Sequence, residues 1–273
     1  MILNFNTMSG VTRILNAKGG AGLCAYLIQV IGFIYDFEDD DIVINMIGDA
    51  HYYHDDNVER TKNVWEYFFH QLGDTKGRCV HYDNHFAKIM KPPEYRNACQ
   101  HRENFITEAH RIFWKYIKVR KEILDIVNDF YKSNMEGFNI ISIHKRNSSH
   151  YMKNRGHYVD NKGILTVEYY MDFIDKQREN YDKIFLLTDE KEAHDSFKER
   201  YKDDLISYNA LRSKKGTYIF DDSRGYKYGE DILVDVLLAS RTLKLIGGKS
   251  NVCTAIRFIN GNMVFEQVDK EIR

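Results

Sequence analysis

Apolar positions along the chain fall into short continuous runs alternating with helical stripes. Thr12–Asn16 reads as a short strand and leads into Gly19–Gly20–Ala21–Gly22. The apolar stretch Leu23–Phe37 that follows is long enough for a helix, and Ile42–Ile47 predicts a second strand. Val64, Trp65, Phe68, Phe69 and Leu72 recur at helical spacing, whereas Gly73–Arg102 carries no single period. From Phe105 to Tyr131 the stripe Phe105, Ala109, Ile112, Phe113, Tyr116, Ile123, Val127 and Phe130 predicts one continuous helix, ended by Ser133–Asn134 and Gly137. Asn139–His144, Lys183–Thr188 and Leu243–Ile246 read as buried strands. Thr166–Asn180, Glu190–Tyr201 and Glu230–Arg241 read as helices between or beside them.

Buried apolar strands separated by helices predict an α/β fold with parallel sheets covered on both faces. A boundary near Asn134–Gly137 divides the chain into an N-terminal α/β domain, 1–134, and a C-terminal Rossmann-like domain, 135–273. Ligands of open parallel sheets bind beyond the carboxyl ends of the strands. The places to search are therefore Gly19–Gly22, His144–Arg146, Thr188–Asp189 and Gly247–Asn251.

Composition narrows the class. Hydrophobic residues make up 43% and charged residues 29%, the balance of a globular chain. Lys+Arg number 39 against 40 Asp+Glu, a net charge of −1, so no basic footprint points to nucleic acid or an anionic membrane. No apolar run reaches the ~18 residues of a membrane span, and Met1–Arg13 lacks the pattern of a signal peptide. Cys24, Cys79, Cys99 and Cys253 form no C-x-x-C pair and read as the reduced thiols of a cytoplasmic protein.

Several motifs carry candidate chemistry. Gly20-x-Gly22-x-x-Ala25 has the form of a dinucleotide fingerprint between strand and helix. Its nearest acidic partner, Asp49, lies beyond the usual spacing of ~20 residues, so an NAD-dependent oxidoreductase and another phosphorylated ligand both stay open. Gly248–Lys249–Ser250 ends like a P-loop, but Leu243 stands where that motif needs its first glycine. Asp39-x-Asp41 has the metal-binding pattern of one glycosyltransferase class but precedes a strand. His51-x-x-His54–Asp55 is a possible zinc pair without further ligands.

At the end of a strand, the planar fork of Arg146 in His144–Lys145–Arg146 suits a diphosphate. Asp189 with Glu192 has the spacing of a capping box. Asp235 interrupts an apolar helix, and its neighbours at three and four positions are Asp231, Ile232, Leu238 and Ala239, none of them cationic. It faces water or needs specific hydrogen-bond donors. The two adjacent N–H groups on one edge of guanine are such donors.

Taken in order, Asn16–Cys24, Ile143–Arg146, Ile184–Asp189 and Leu233–Cys253 resemble the fucosyltransferase-like glycosyltransferases, with the α-1,6-fucosyltransferase and nodulation-enzyme branch nearest. These blocks look like the family's glycine-rich loop, its H-x-R strand end, its apolar strand ending in Thr-Asp, and its donor-site helix, strand and serine loop. The resemblance implies a GT-B-like fold, transfer of fucose or a related deoxyhexose from a GDP-sugar to a glycan hydroxyl, inversion at the anomeric carbon and no metal. By position it implies that Arg146 holds the β-phosphate, that His144 sits beside the donor and that Asp235 reads guanine. Thr188 and Asp189 would border the donor, and Lys249, Ser250 and Asn251 would bond the diphosphate. Gly19, Gly20 and Gly22 would approach the phosphates. Asp160 and Glu168 are the carboxylate candidates for the acceptor's proton, with His150 and His157 as imidazole alternatives. Asn147 and Ser149 replace the second Arg and the Asp of the branch's H-x-R-R-x-D, which leaves linkage and acceptor open. A nucleotide-sugar-binding protein without transferase activity is the alternative.

Overall fold

A computed structural model describes residues 11–17, 21–47, 53–55, 63–83, 103–146, 166–213, 225–248 and 250–268. The chain divides into two units, Met1–Arg120 and Lys121–Arg273. Each holds a wholly parallel sheet, as the alternation of strands and helices predicts.

In the first unit β1 (Val11–Asn16) lies between β2 (Asp41–Asn45) and β3 (Arg78–Asp83). Ile14 sits opposite Val43 on one side and His81 on the other. Helix α1 (Leu23–Asp36) joins β1 to β2, and every residue from Leu23 to Ile34 is buried. A helix apolar on all sides is stable only inside a core. The single turn α2 (Trp65–Phe68) buries Trp65 and Phe68. The unpredicted strand β3 is an edge strand with no buried residue, so it lacks a hydrophobic signature.

The expected helix Phe105–Tyr131 is two helices, α3 (Glu103–Tyr116) and α4 (Lys121–Asn134). The break has a tertiary cause. Val119 bridges Phe69, His70 donates its N–H to the Lys118 carbonyl at 2.8 Å, and Arg120 donates to the Phe68 carbonyl at 2.9 Å. Ile117 still donates to the Phe113 carbonyl at 2.9 Å, and these bonds take over at residues 118–120. The division between units falls here rather than at Asn134–Gly137, and α4 goes with the second unit.

The second unit has the strand order β6-β5-β4-β7-β8: β6 (Leu205–Ile206), β5 (Lys183–Thr188), β4 (Ile140–Lys145), β7 (Lys244–Gly247) and β8 (Val264–Gln267). Strand β4 is buried along its whole length. Helices α5 (Val167–Asp175) and α6 (Lys191–Tyr201) make the crossovers on one side. On the other lie α7 (Tyr226–Ala239), which precedes β7, and α8 (Asn251–Ile259), which joins β7 to β8. Ile141, Ile143, Ile184, Leu186, Phe197 and Ile246 form the core. The chain leaves β4 toward β5 and β6, then returns to β7 on the opposite side. That reversal puts the topological switch point between the carboxyl ends of β4 and β7.

At that point Gly247 serves close packing. A Cβ there would lie 2.6 Å from Cys253 Sγ and 3.5 Å from His144 Cβ. Gly247→Ala is expected to destabilise the protein by about 1–3 kcal/mol through overpacking. Adding Cys253→Ala should recover most of the loss, since the clash is with that sulfur. Thermal melting of both variants checks this, and an unshifted single variant overturns it.

Candidate functional site

One pocket lies beyond the carboxyl ends of β4 and β5. His144, Arg146, Thr188, Asp189, Asp231 and Asp235 line it, with Leu211 and Val252 among its apolar walls. Five of the residues singled out in the sequence — His144, Arg146, Thr188, Asp189 and Asp235 — therefore meet in one place.

The end of β4 sorts its side chains by strand alternation. His144 and Arg146 face the pocket, whereas Lys145 makes a buried ion pair with Glu190 at the head of α6. Both side chains of that pair are at most 5% exposed. Arg146 Nη1 lies 3.3 Å from Asp189 Oδ2. The capping-box reading of Asp189 and Glu192 does not hold. Glu190 occupies the cap position of α6 without a side-chain cap, and the Lys191 N–H bonds the Ser213 carbonyl at 2.9 Å. The Asp189 carboxylate is thus left to pair with Arg146. Thr188 Oγ1 accepts the Glu190 N–H at 3.2 Å and holds the turn.

His144 is buried, and burial, together with the positive charges of Arg146 and Lys145, lowers its pKa to about 4. Its Nδ1 lies 3.2 Å from Ser250 Oγ and 3.5 Å from Cys253 Sγ. Ser250 is not loop but the N-cap of α8, its Oγ accepting the Cys253 N–H at 3.1 Å. Asn251 is the exposed first residue of that helix.

Asp235 is only 8% exposed, and no hydrogen-bond donor among the described residues reaches its Oδ1. Burial pushes its pKa well above the usual 3.8; Arg212 pulls it down and Asp231 pushes it further up. Asp231, one turn earlier, has a cation and a backbone donor beside it. It accepts the Leu211 N–H at 2.9 Å and pairs with Lys227 at 2.8 Å. Arg212 is a contributor that sequence reasoning missed. Its Nη atoms bond the Ala210 and Tyr208 carbonyls, which fixes the 208–212 segment beside Asp235. It sits in an aperiodic polar stretch with nothing to mark it.

The other candidates lie elsewhere. Glu168 is exposed in the first turn of α5 and is not among the pocket's lining. Gly22 caps α1, whose Leu23 N–H is bonded by the Tyr53 hydroxyl at 2.7 Å. Asp40, inside the Asp39-x-Asp41 run, pairs with Arg13 at 2.7 Å. No group of three or more His, Cys, Asp or Glu side chains suited to a metal occurs among the described residues. No described helix is long and apolar enough to cross a membrane. Gly19, Gly20, Asp49, His51, His150, His157, Asp160 and Lys249 lie outside the described residues.

No protein-family profile and no curated protein matches the sequence. Solved structures do match the fold. A NodZ α-1,6-fucosyltransferase soaked with GDP-fucose is 15% identical, with a TM-score of 0.53 over 91% of this chain and 92% of that one. Fucosyltransferase NodZ from Bradyrhizobium is 17% identical, with a TM-score of 0.54 over 95% of each chain. POFUT1 in complex with GDP is 11% identical, with a TM-score of 0.51 over 94% of this chain and 99% of that one. The chain has the α/β, GT-B-like fold of these fucosyltransferases, as the four sequence blocks imply.

Proposed function

We propose that this chain is a fucosyltransferase-like glycosyltransferase using a GDP-sugar, fucose or a related deoxyhexose, and delivering it to a glycan hydroxyl with inversion and without a metal. The observation that carries this reading is the Asp235 carboxylate, buried with an unmet acceptor oxygen and sharing a pocket with Arg146 at the end of the central strand. A carboxylate left this way in an apolar helix is costly unless a ligand supplies donors. The edge of guanine supplies two. The diphosphate would then draw Arg146 from Asp189, and its guanidinium would neutralise charge gathering on the leaving GDP. A protein carboxylate or imidazole, with Asp160, Glu168, His150 and His157 as the candidates, would take the acceptor's proton.

Asp235→Asn is expected to weaken GDP binding roughly 10- to 150-fold, the loss of one charge-assisted hydrogen bond. The free protein should behave oppositely. A carboxyl group whose pKa is raised by folding binds more protons folded than unfolded, so its contribution to stability declines as pH rises from about 3.8. Removing that titration should leave the variant at least as stable as the wild type at neutral pH. A thermal-shift panel of GDP, UDP, ADP and NAD tests both halves. A ligand at 100 times its Kd adds about 2.7 kcal/mol, and GDP alone should give the large shift and lose it in Asp235→Asn. An equal GDP shift in the variant returns Asp235 to a structural role.

Turnover should survive excess EDTA. Activity lost in EDTA and restored by Mn²⁺ would transfer the leaving-group work to a metal. GDP-sugar binding without transfer or slow donor hydrolysis would identify a non-catalytic binding protein.

A further inference from the structure

The head of α8 meets His144 at the pocket. Two hydrogen-bearing groups of that helix, the Ser250 hydroxyl at 3.2 Å and the Cys253 thiol at 3.5 Å, converge on His144 Nδ1. Ser250 Oγ already accepts the Cys253 N–H, and its one hydrogen can turn to the imidazole. The amino end of α8 carries positive potential, which favours a lone pair over an N–H on the ring atom that faces it. The bare Cα of Gly247 lets Cys253 approach this closely. With Nδ1 engaged, Nε2 is the nitrogen left for the pocket.

We infer that Ser250 and Cys253 hold His144 as the Nε2–H tautomer, making it a fixed hydrogen-bond donor to an anionic oxygen of the ligand and not a general base. A general base would have to turn an open lone pair toward the pocket. On the nucleotide reading of the site, which this inference deepens, the donor sits beside Arg146 and serves the diphosphate. Ser250 is then a positioning residue acting through His144.

The test is ¹⁵N NMR of the full chain with labelled histidine, His144 being assigned through its backbone. Nδ1 should give a pyridine-type signal and Nε2 a pyrrole-type one. Ser250→Ala should move both toward a mixture of tautomers, and Ser250→Thr should keep the wild-type pattern. Ser250→Ala should also lower kcat about tenfold with little change in donor KM, and Ser250→Thr should restore it. His144→Gln, whose amide N–H reaches near the Nε2 position, should retain more turnover than His144→Asn. A pyrrole-type Nδ1, or a Ser250→Ala spectrum identical to wild type, overturns the inference. The wild-type spectrum decides the tautomer even if a variant fails to fold. Failure of GDP to shift any histidine signal overturns the nucleotide reading instead, because the tautomer is read without ligand.

Discussion

Replacing Arg146 with alanine is expected to lower turnover by roughly 10²–10³-fold, the range for removal of one preorganised donor. GDP affinity should fall much less. In the proposed transfer, charge would build on the diphosphate as the glycosidic bond breaks, so the contact would strengthen in the transition state and its loss would appear in kcat. Arg146 is suited to this by position. It directly follows the fully buried strand β4, and Asp189 already orients its guanidinium at 3.3 Å. Asn147 follows it, so no adjacent guanidinium substitutes. Arg146→Lys should recover only part, because an ammonium keeps the charge but loses the bidentate fork. Donor affinity and turnover, measured after circular dichroism confirms folding, decide the matter. Near-normal turnover in Arg146→Ala would make it an ordinary loop residue.

The largest expected loss of stability comes from the other side of the same strand. Lys145→Met leaves the Glu190 carboxylate buried without its cation, which should cost about 3–5 kcal/mol. The double variant Lys145→Met/Glu190→Leu removes both charges and should melt near the wild type or above it, since a buried pair often contributes little net stability over apolar replacements. Melting curves of the single and double variants separate breaking a pair from replacing it. A Lys145→Met protein that melts like the wild type would show that water or another group reaches Glu190.

What the sequence discloses depends on burial. Strands β4, β5 and β7 are read to within a residue because central parallel strands are continuous apolar runs. Strands β6 and β8 escape notice, the first for its two residues and the second for its half-exposed VFEQ. The stripe from Phe105 to Val127 keeps helical phase through Tyr116, so no periodicity could reveal a break made by bonds to residues 68–70. Asp235 was legible as an anomaly because its helical neighbours offer no cation. That its nearby charge comes from Arg212, on a separate segment, is a tertiary fact. The role of Lys145 is not legible in the sequence, since its partner Glu190 lies 45 positions away. The order of the four blocks pointed to the fold where no single period did.

The three side chains at the end of β4 have one further consequence. His144 and Arg146 serve the pocket and Lys145 serves the core only because a strand turns over at every residue. The strand is therefore a ruler with a one-residue graduation. Inserting or deleting a single residue between Ile140 and Ile143 would present Lys145 to the pocket and turn His144 and Arg146 toward Glu190. Substitutions along β4 would be graded in effect, while a length change would exchange the two sets of functions at once. Across related chains, the spacing from the start of this strand to its arginine should vary less than the identity of the residues between.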